Sequence, residues 1–279
     1  MYDFEHDSDS TAKADGVRGP ASQGPPSRFL TALEFPRWIG EYASSRVLDT
    51  ITPTSDVGEG RPVLVLPGFA ANDFLTGRLR AHLRQRGFHV HGWRLGRNIG
   101  LTDRLVDGLV ERFAEVADRH DEPVSIIGWS FGGLLARRIA HEHPDRVRQI
   151  ICLGSPWRAE GERTRATAMF ERSRARHGLS DRARDIVDQL REPVPVPTTA
   201  IWSRTDGIAS WSGCSVDETT TPAIAENIEV PSSHVGLVAN PLVLAVVVNR
   251  LRQDPDNWQA FEWRQLLPGA ASQSQKAPA

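Results

Sequence analysis

Residues 123–133 read Pro123-Val124-Ser125-Ile126-Ile127-Gly128-Trp129-Ser130-Phe131-Gly132-Gly133, and this stretch decides the fold. Its first half is a short apolar run rich in β-branched residues, the pattern of a buried strand. Its second half is Gly-x-Ser-x-Gly, and an amphipathic helical pattern follows at once, running to about His143, where Pro144 ends it. Two glycines around a serine are common by composition. Between a buried strand and a helix they mean more, because a sharp strand-to-helix turn is what lifts a serine hydroxyl above a sheet. Side chains in place of the glycines would strike the neighbouring strand and helix.

Working outward, strands and helices alternate, which is the signature of a mostly parallel sheet with helices on both faces. A short helical stretch over about Phe29 to Val47, interrupted by Pro36, comes first. Pro62 to Leu66 is a wholly apolar strand that stops at Pro67-Gly68. Asn72 or Asp73 is expected to cap the next helix, with Leu75, Leu79 and Leu83 at four-residue spacing and Gly87 in the position after its end. Phe88 to Trp93 is a second strand, and Thr102 opens a helix with Leu105, Leu109, Phe113 and Val116 on one face. Strands follow at Val147 to Leu153, Thr198 to Ser203 and Asn227 to Val230, and Asn240-Pro241 starts a closing helix through Leu251.

A serine hydroxyl is a weak nucleophile and needs a neighbouring base. His234, in Ser232-Ser233-His234-Val235-Gly236, follows the last strand and precedes the last helix, which is where this architecture puts that base. The acid that orients such a histidine comes between serine and histidine in sequence. Asp206 does so, just after the Thr198 to Ser203 strand and before Gly207; Asp217 and Glu218 are its rivals. Two backbone amides must face the developing oxyanion. Phe131 should supply one, and Phe69, in the turn after the first strand, the other. Trp129, beside the serine, is expected to contact substrate.

These residues carry a resemblance. The Pro67-Gly68-Phe69 turn, Gly128 to Gly133, Asp206 and Ser233-His234 make the chain look like a member of the α/β-hydrolase superfamily, and within it like bacterial esterases and triacylglycerol-lipase-like enzymes. The stretch from Trp202 to Leu237 also resembles an actinobacterial branch of hydrolases. The resemblance spans about Pro62 to Leu251. It implies an acyl-enzyme on Ser130 and no cofactor. Many small-ester hydrolases of this fold have a His-Gly pair before the oxyanion turn; Val65-Leu66 stands there instead, as in lipase-like members, and leans toward acyl chains.

The stretch over about 157–192 breaks the rhythm with nine arginines and seven acidic residues. It is expected to be a cap over the serine, with a helix opened by Ser180 in which Ala183, Ile186, Val187 and Leu190 share a face. Ile186 and Leu190 are its candidate substrate contacts, and its charges read best as a solvated face with local ion pairs. One domain is expected over 28–267, with disordered tails at 1–27 and 268–279 that are poor in large apolar residues.

The 279 residues carry a formal net charge of -2, from 33 basic against 35 acidic residues. Without a basic stripe, nothing points to nucleic acid. No apolar run approaches the roughly 20 residues of a membrane span. Two cysteines, no apolar leader in the acidic first residues and no metal-ligand spacing point to a cytoplasmic enzyme without disulfide or metal. The expected activity is cleavage of a small-molecule or lipid acyl ester. Acyl transfer or thioester hydrolysis by the same triad is the alternative, and a non-catalytic binding protein on the same fold a remote one.

Overall fold

The computed structural model describes residues 26–51, 56–156, 192–216 and 223–267. The expected tails, apart from Pro26 and Ser27, lie outside them. So does nearly all of the expected cap, including Ile186 and Leu190, together with Asp217 and Glu218.

The chain begins with α1 (Arg28–Ile51), then alternates β1 (Pro62–Leu66), α2 (Gly77–Gln85), β2 (His89–Gly92), α3 (Asp103–Ala117), β3 (Val124–Trp129), α4 (Phe131–Glu142) and β4 (Val147–Leu153). After the cap region come β5 (Thr198–Trp202), the short α5 (Trp211–Cys214), β6 (Ala225–Glu229) and α6 (Pro241–Leu251). The six strands form one sheet in the order β2-β1-β3-β4-β5-β6, with every pair parallel.

Alternation along each strand splits the core in two. Leu64, Leu66, Ile126, Ile150 and Cys152 face α3 and α4, where Leu109, Phe113, Leu135 and Ile139 complete a buried layer. Val63, Val65, Ile127, Ile151 and Ile201 face the opposite layer, filled by Leu79 and Leu83 of α2 and Leu244 and Val247 of α6. With both faces covered, the central strands β1 and β3 are buried along their whole length and almost wholly apolar, while the outer strands β2 and β6 carry His89, His91, Glu226 and Glu229. No helix among the described residues is long and apolar enough to cross a membrane.

Several boundaries differ from expectation for physical reasons. α1 is one helix of 24 residues that includes Pro36, and Ser27 accepts the Leu30 amide on Oγ at 3.2 Å to cap it. Neither Asn72 nor Asp73 caps α2. Asn72 closes a local turn on the Phe74 amide at 3.0 Å, and Asp73 accepts from Trp93 and Arg94 at 3.1 and 2.9 Å, tying β2's end to the α2 approach. β6 starts at Ala225, two residues earlier than its apolar pattern suggested.

The inward face of α1 is polar: Glu34 and Ser45 are buried there, and Asp49 holds Arg78 of α2 at 2.7 Å. Phe29, Phe35 and Ile39 point outward, 71, 66 and 50% exposed. The helix therefore packs by hydrogen bonds and ion pairs, and hydrophobic periodicity could not have shown its inner face.

Candidate active site

The carboxyl ends of β1, β3, β4 and β5 lie side by side because their registers align Leu66 with Gly128, and Gly128 with Cys152. Every loop of the site leaves the sheet at this edge. Ser130 follows β3 with φ 54 and ψ −123, a conformation non-glycine residues avoid. Its amide donates to the Leu153 carbonyl at 2.7 Å, and its carbonyl accepts from Gly133 at 3.0 Å, so the strained turn is held from both sides. The glycines are required by space. A Cβ on Gly128 would lie 2.4 Å from the Gly132 backbone, and one on Gly132 would lie 2.4 Å from the Leu66 carbonyl oxygen.

The loop after β1 comes up against this turn, since a Cβ on Gly68 would sit 3.1 Å from the Ser130 Cβ. Phe69 and Phe131 are both half-buried, and their rings meet edge to face at 6.3 Å. Ala70 has a φ of 62, and its amide donates to the Asn98 carbonyl at 2.7 Å. The fully buried Asn98 also donates its side-chain Nδ2–H to the Pro67 carbonyl at 2.8 Å and accepts from Gly100 at 3.1 Å. Asn98 thus splints the turn that carries Phe69. It gives no sequence signal, because an isolated asparagine in an Arg-Asn-Ile-Gly loop looks like any other.

Asp206 and His234 are each 3% exposed, and Asp206 Oδ2 lies 2.6 Å from His234 Nδ1. The other carboxylate oxygen accepts from the Ile208 and Ala209 amides at 2.8 and 2.7 Å, fixing the acid's orientation. Burial pushes the His234 imidazole down, but the charge and hydrogen bond of Asp206, with the charge of Glu34, outweigh it and hold its pKa above the ordinary 6.5. The two loops are also tied together, since Ser203 Oγ accepts from the Ser232 amide at 3.0 Å and Thr205 donates to the Ser232 carbonyl at 3.2 Å. Gly154, at φ 56, passes under the pair, where a Cβ would come within 3.3 Å of both Asp206 and His234.

Trp129, the expected substrate contact, lies largely within the core, with its ring centre 5.8 Å from that of His234. Its ring is 5% exposed and belongs to the buried layer of Leu79 and Leu244, and its indole N–H donates to the His234 carbonyl at 3.0 Å. An indole that must satisfy its one donor within the core faces inward. Elsewhere, burial pushes the Cys152 thiol up to about 11, far from a reactive thiolate. Cys152 and Cys214 are both buried and form no disulfide. Among the described residues no group of three or more His, Cys, Asp or Glu side chains is placed to hold a metal ion.

A parallel sheet between two helical layers, with a strained serine turn and a buried Asp–His pair at its carboxyl edge, is the arrangement shared by hydrolases of this architecture. The chain belongs to the alpha/beta hydrolase family, which it matches over residues 63–275. Among curated relatives, it is 32% identical to the pimeloyl-acyl-carrier-protein methyl ester esterase of Nitrosomonas europaea over 98 residues, 35% of this chain and 38% of that one. It is 31% identical to the enzyme of the same name from Klebsiella pneumoniae over 105 residues, 36% of this chain and 38% of that one. The match thus spans little more than a third of these relatives. A solved metagenome-derived lipolytic enzyme superposes with a TM-score of 0.52 at 17% identity, covering 72% of this chain and 98% of the other. The monoacylglycerol lipase of Paleococcus ferrophilus does so with a TM-score of 0.51 at 16% identity, covering 69% of this chain and 96% of that one. These structural likenesses speak for the fold.

Proposed function

We propose that this protein is a serine esterase that cleaves a carboxylic ester through an acyl-enzyme on Ser130. The observation that carries the proposal is the strained Ser130 turn at the same sheet edge as the Asp206–His234 pair, whose 2.6 Å contact leaves Nε2 of the imidazole as its second nitrogen. In this reading Ser130 Oγ forms a bond to the ester carbonyl carbon while its proton passes to His234 Nε2. The tetrahedral oxyanion is met by the Phe69 and Phe131 amides. Collapse breaks the carbon–oxygen bond to the alcohol, which leaves with the proton from His234. Water, deprotonated by the same imidazole, then releases the acid and regenerates Ser130. Asp206 keeps Nδ1 as the donor and stabilises the imidazolium.

The half-buried rings of Phe69 and Phe131 beside Ser130 favour an apolar acyl group over a charged one. Each methylene buried adds about 0.8 kcal/mol, so kcat/KM should rise along acetyl, butyryl, hexanoyl and decanoyl nitrophenyl esters until the acyl site ends. Ile186 and Leu190 are proposed to close over that chain. Replacing both with alanine should remove the medium-chain advantage and spare acetate; a flat profile in the parent protein would count against an acyl site. The esterase names of the partial relatives agree with an ester substrate.

The mechanism itself is tested by Ser130→Ala and Asp206→Asn. The first should abolish labelling by a fluorophosphonate probe without unfolding the chain. The second should lower turnover by about four orders of magnitude, through the wrong imidazole tautomer. Labelling that survives in Ser130→Ala would place the nucleophile elsewhere.

A further inference from the structure

We infer that Glu34 of α1 is a positioning residue of this site, resting on the assignment of Ser130, Asp206 and His234 as a triad. Its carboxylate joins the acid loop to the base loop and sets a second negative charge behind the imidazole.

The geometry is specific. Glu34 is 6% exposed. Its Oε1 accepts from the Gly207 amide at 2.7 Å and from the His234 amide at 3.0 Å, and its Oε2 accepts from Val235 at 3.2 Å. One carboxylate therefore touches the residue after the acid, the base itself, and the residue after the base. With Trp129 on the His234 carbonyl and Asp206 on its ring, the histidine is held at its amide, its carbonyl and Nδ1.

The rest of α1 reinforces this grip. Thr31 donates to the Gly207 carbonyl at 2.7 Å, while Arg37 donates to the Thr205 carbonyl and hydroxyl at 2.6 and 2.8 Å. The residues on both sides of Asp206 are thus bound to one helix. Glu41, two turns on and on the same face, accepts from the Ser233 amide at 2.8 Å. Backbone approaches so closely that a Cβ on Gly207 would lie 2.5 Å from the Leu30 carbonyl.

A carboxylate presents acceptors on both sides and so satisfies all three amides, where a neutral amide would turn its NH2 toward one of them. The charge has a second consequence besides this bridging. What the charge adds is stabilisation of the imidazolium formed when Ser130 gives up its proton. The charged groups around His234 are Asp206 from the loop after β5 and Glu34 from α1, with Glu41 behind Ser233 and Arg37 beside Thr205. The charge of Glu34 acts in the same direction as that of Asp206, raising the basicity of His234 against the effect of burial.

The test separates charge from position by measuring kcat and KM for p-nitrophenyl butyrate from pH 5 to 10, with thermal unfolding alongside. Glu34→Gln keeps a carbonyl oxygen for Gly207 and His234 but loses the charge and the acceptor for Val235, a loss that the thermal unfolding reads separately. Its acid limb should move to lower pH by roughly half a unit, with kcat down about tenfold and KM little changed. Glu34→Asp keeps the charge on a shorter arm, so it should lose kcat while holding the parent's acid limb. Parent-like pH profiles in both variants would reduce Glu34 to a strut and overturn the inference, as would a kcat loss that only tracks the unfolded fraction. Fluorophosphonate labelling of Ser130→Ala distinguishes the other failure: labelling that persists there breaks the triad assignment, whatever the Glu34 variants do.

Discussion

At the scale of single residues, Ser130 stores strain that its proposed role as the nucleophile would explain. A φ of 54 with a ψ of −123 belongs to glycine, yet a glycine there would have no hydroxyl. Such outliers cost of order 1–3 kcal/mol, and part of that is offset in glycine by its greater unfolded-state freedom. Ser130→Gly should therefore be more stable than Ser130→Ala by about 1 kcal/mol while both are inactive, as urea unfolding midpoints would reveal. Equal midpoints would mean that the turn is unstrained. The same scale holds the pH dependence of the site. If His234 is the base of Ser130, only its neutral imidazole accepts the serine proton, and because it is held above the ordinary 6.5, activity should fall on acidification while the pH is still above that value. The linked stability has the opposite sense: a raised histidine contributes fully below its unfolded pKa and loses that contribution as pH rises through the folded one.

Between elements, the site depends on loops splinted by side chains from other parts of the chain. Asn98, in the loop between β2 and α3, holds the Pro67 carbonyl at 2.8 Å and so shapes the turn carrying Phe69. Asn98→Ala would leave that carbonyl without this donor, at a cost of about 1–3 kcal/mol. If the Phe69 amide serves the oxyanion, kcat should also fall at least tenfold with KM nearly unchanged, since losing one oxyanion donor costs about 100- to 1000-fold. A stability loss with parent-like kcat would separate Asn98 from the oxyanion turn. α1 is the other such element: a helix placed outside the sheet that reaches both loops bearing the Asp–His pair.

Across the whole molecule, the sheet edge beyond the site is closed by a buried ion pair. Arg250 of α6 is fully buried and donates to Glu226 of β6 at 2.8 Å and to the Gln259 carbonyl at 2.9 Å. Its guanidinium also lies 5.5 Å from the Trp258 ring centre and 5.4 Å from that of Phe261, whose amide is bound by Glu226. Removing Glu226 leaves Arg250 with the neutral acceptors of Asn249, Gln259 and Gln265 but no opposite charge, so Glu226→Ala should cost toward the lower end of about 3–5 kcal/mol. Denaturant unfolding measures this; a loss below about 1 kcal/mol would mean that water reaches the guanidinium once Glu226 is gone. Being at the far strand from Ser130, the change should leave kcat per folded molecule near the parent value.

By itself, the sequence determined the strands, the serine turn, and the order of Ser130, Asp206 and His234. Each of these is a local or one-dimensional signal: an apolar run, glycines flanking a turn, a residue type placed after a strand. The Asp206–His234 contact followed from them because parallel strands deliver their following loops to one edge. Tertiary structure alone decided which side chains brace that edge. Glu34, Glu41 and Asn98 work through backbone amides and carbonyls far away in sequence, and backbone partners leave no pattern in side-chain identity. Trp129 sits beside the serine in sequence but lies within the core, where apolar packing surrounds the ring and the His234 carbonyl takes its indole donor. The inner face of α1 escaped notice for the same reason: it is held by polar groups, and periodicity reports only burial of apolar ones.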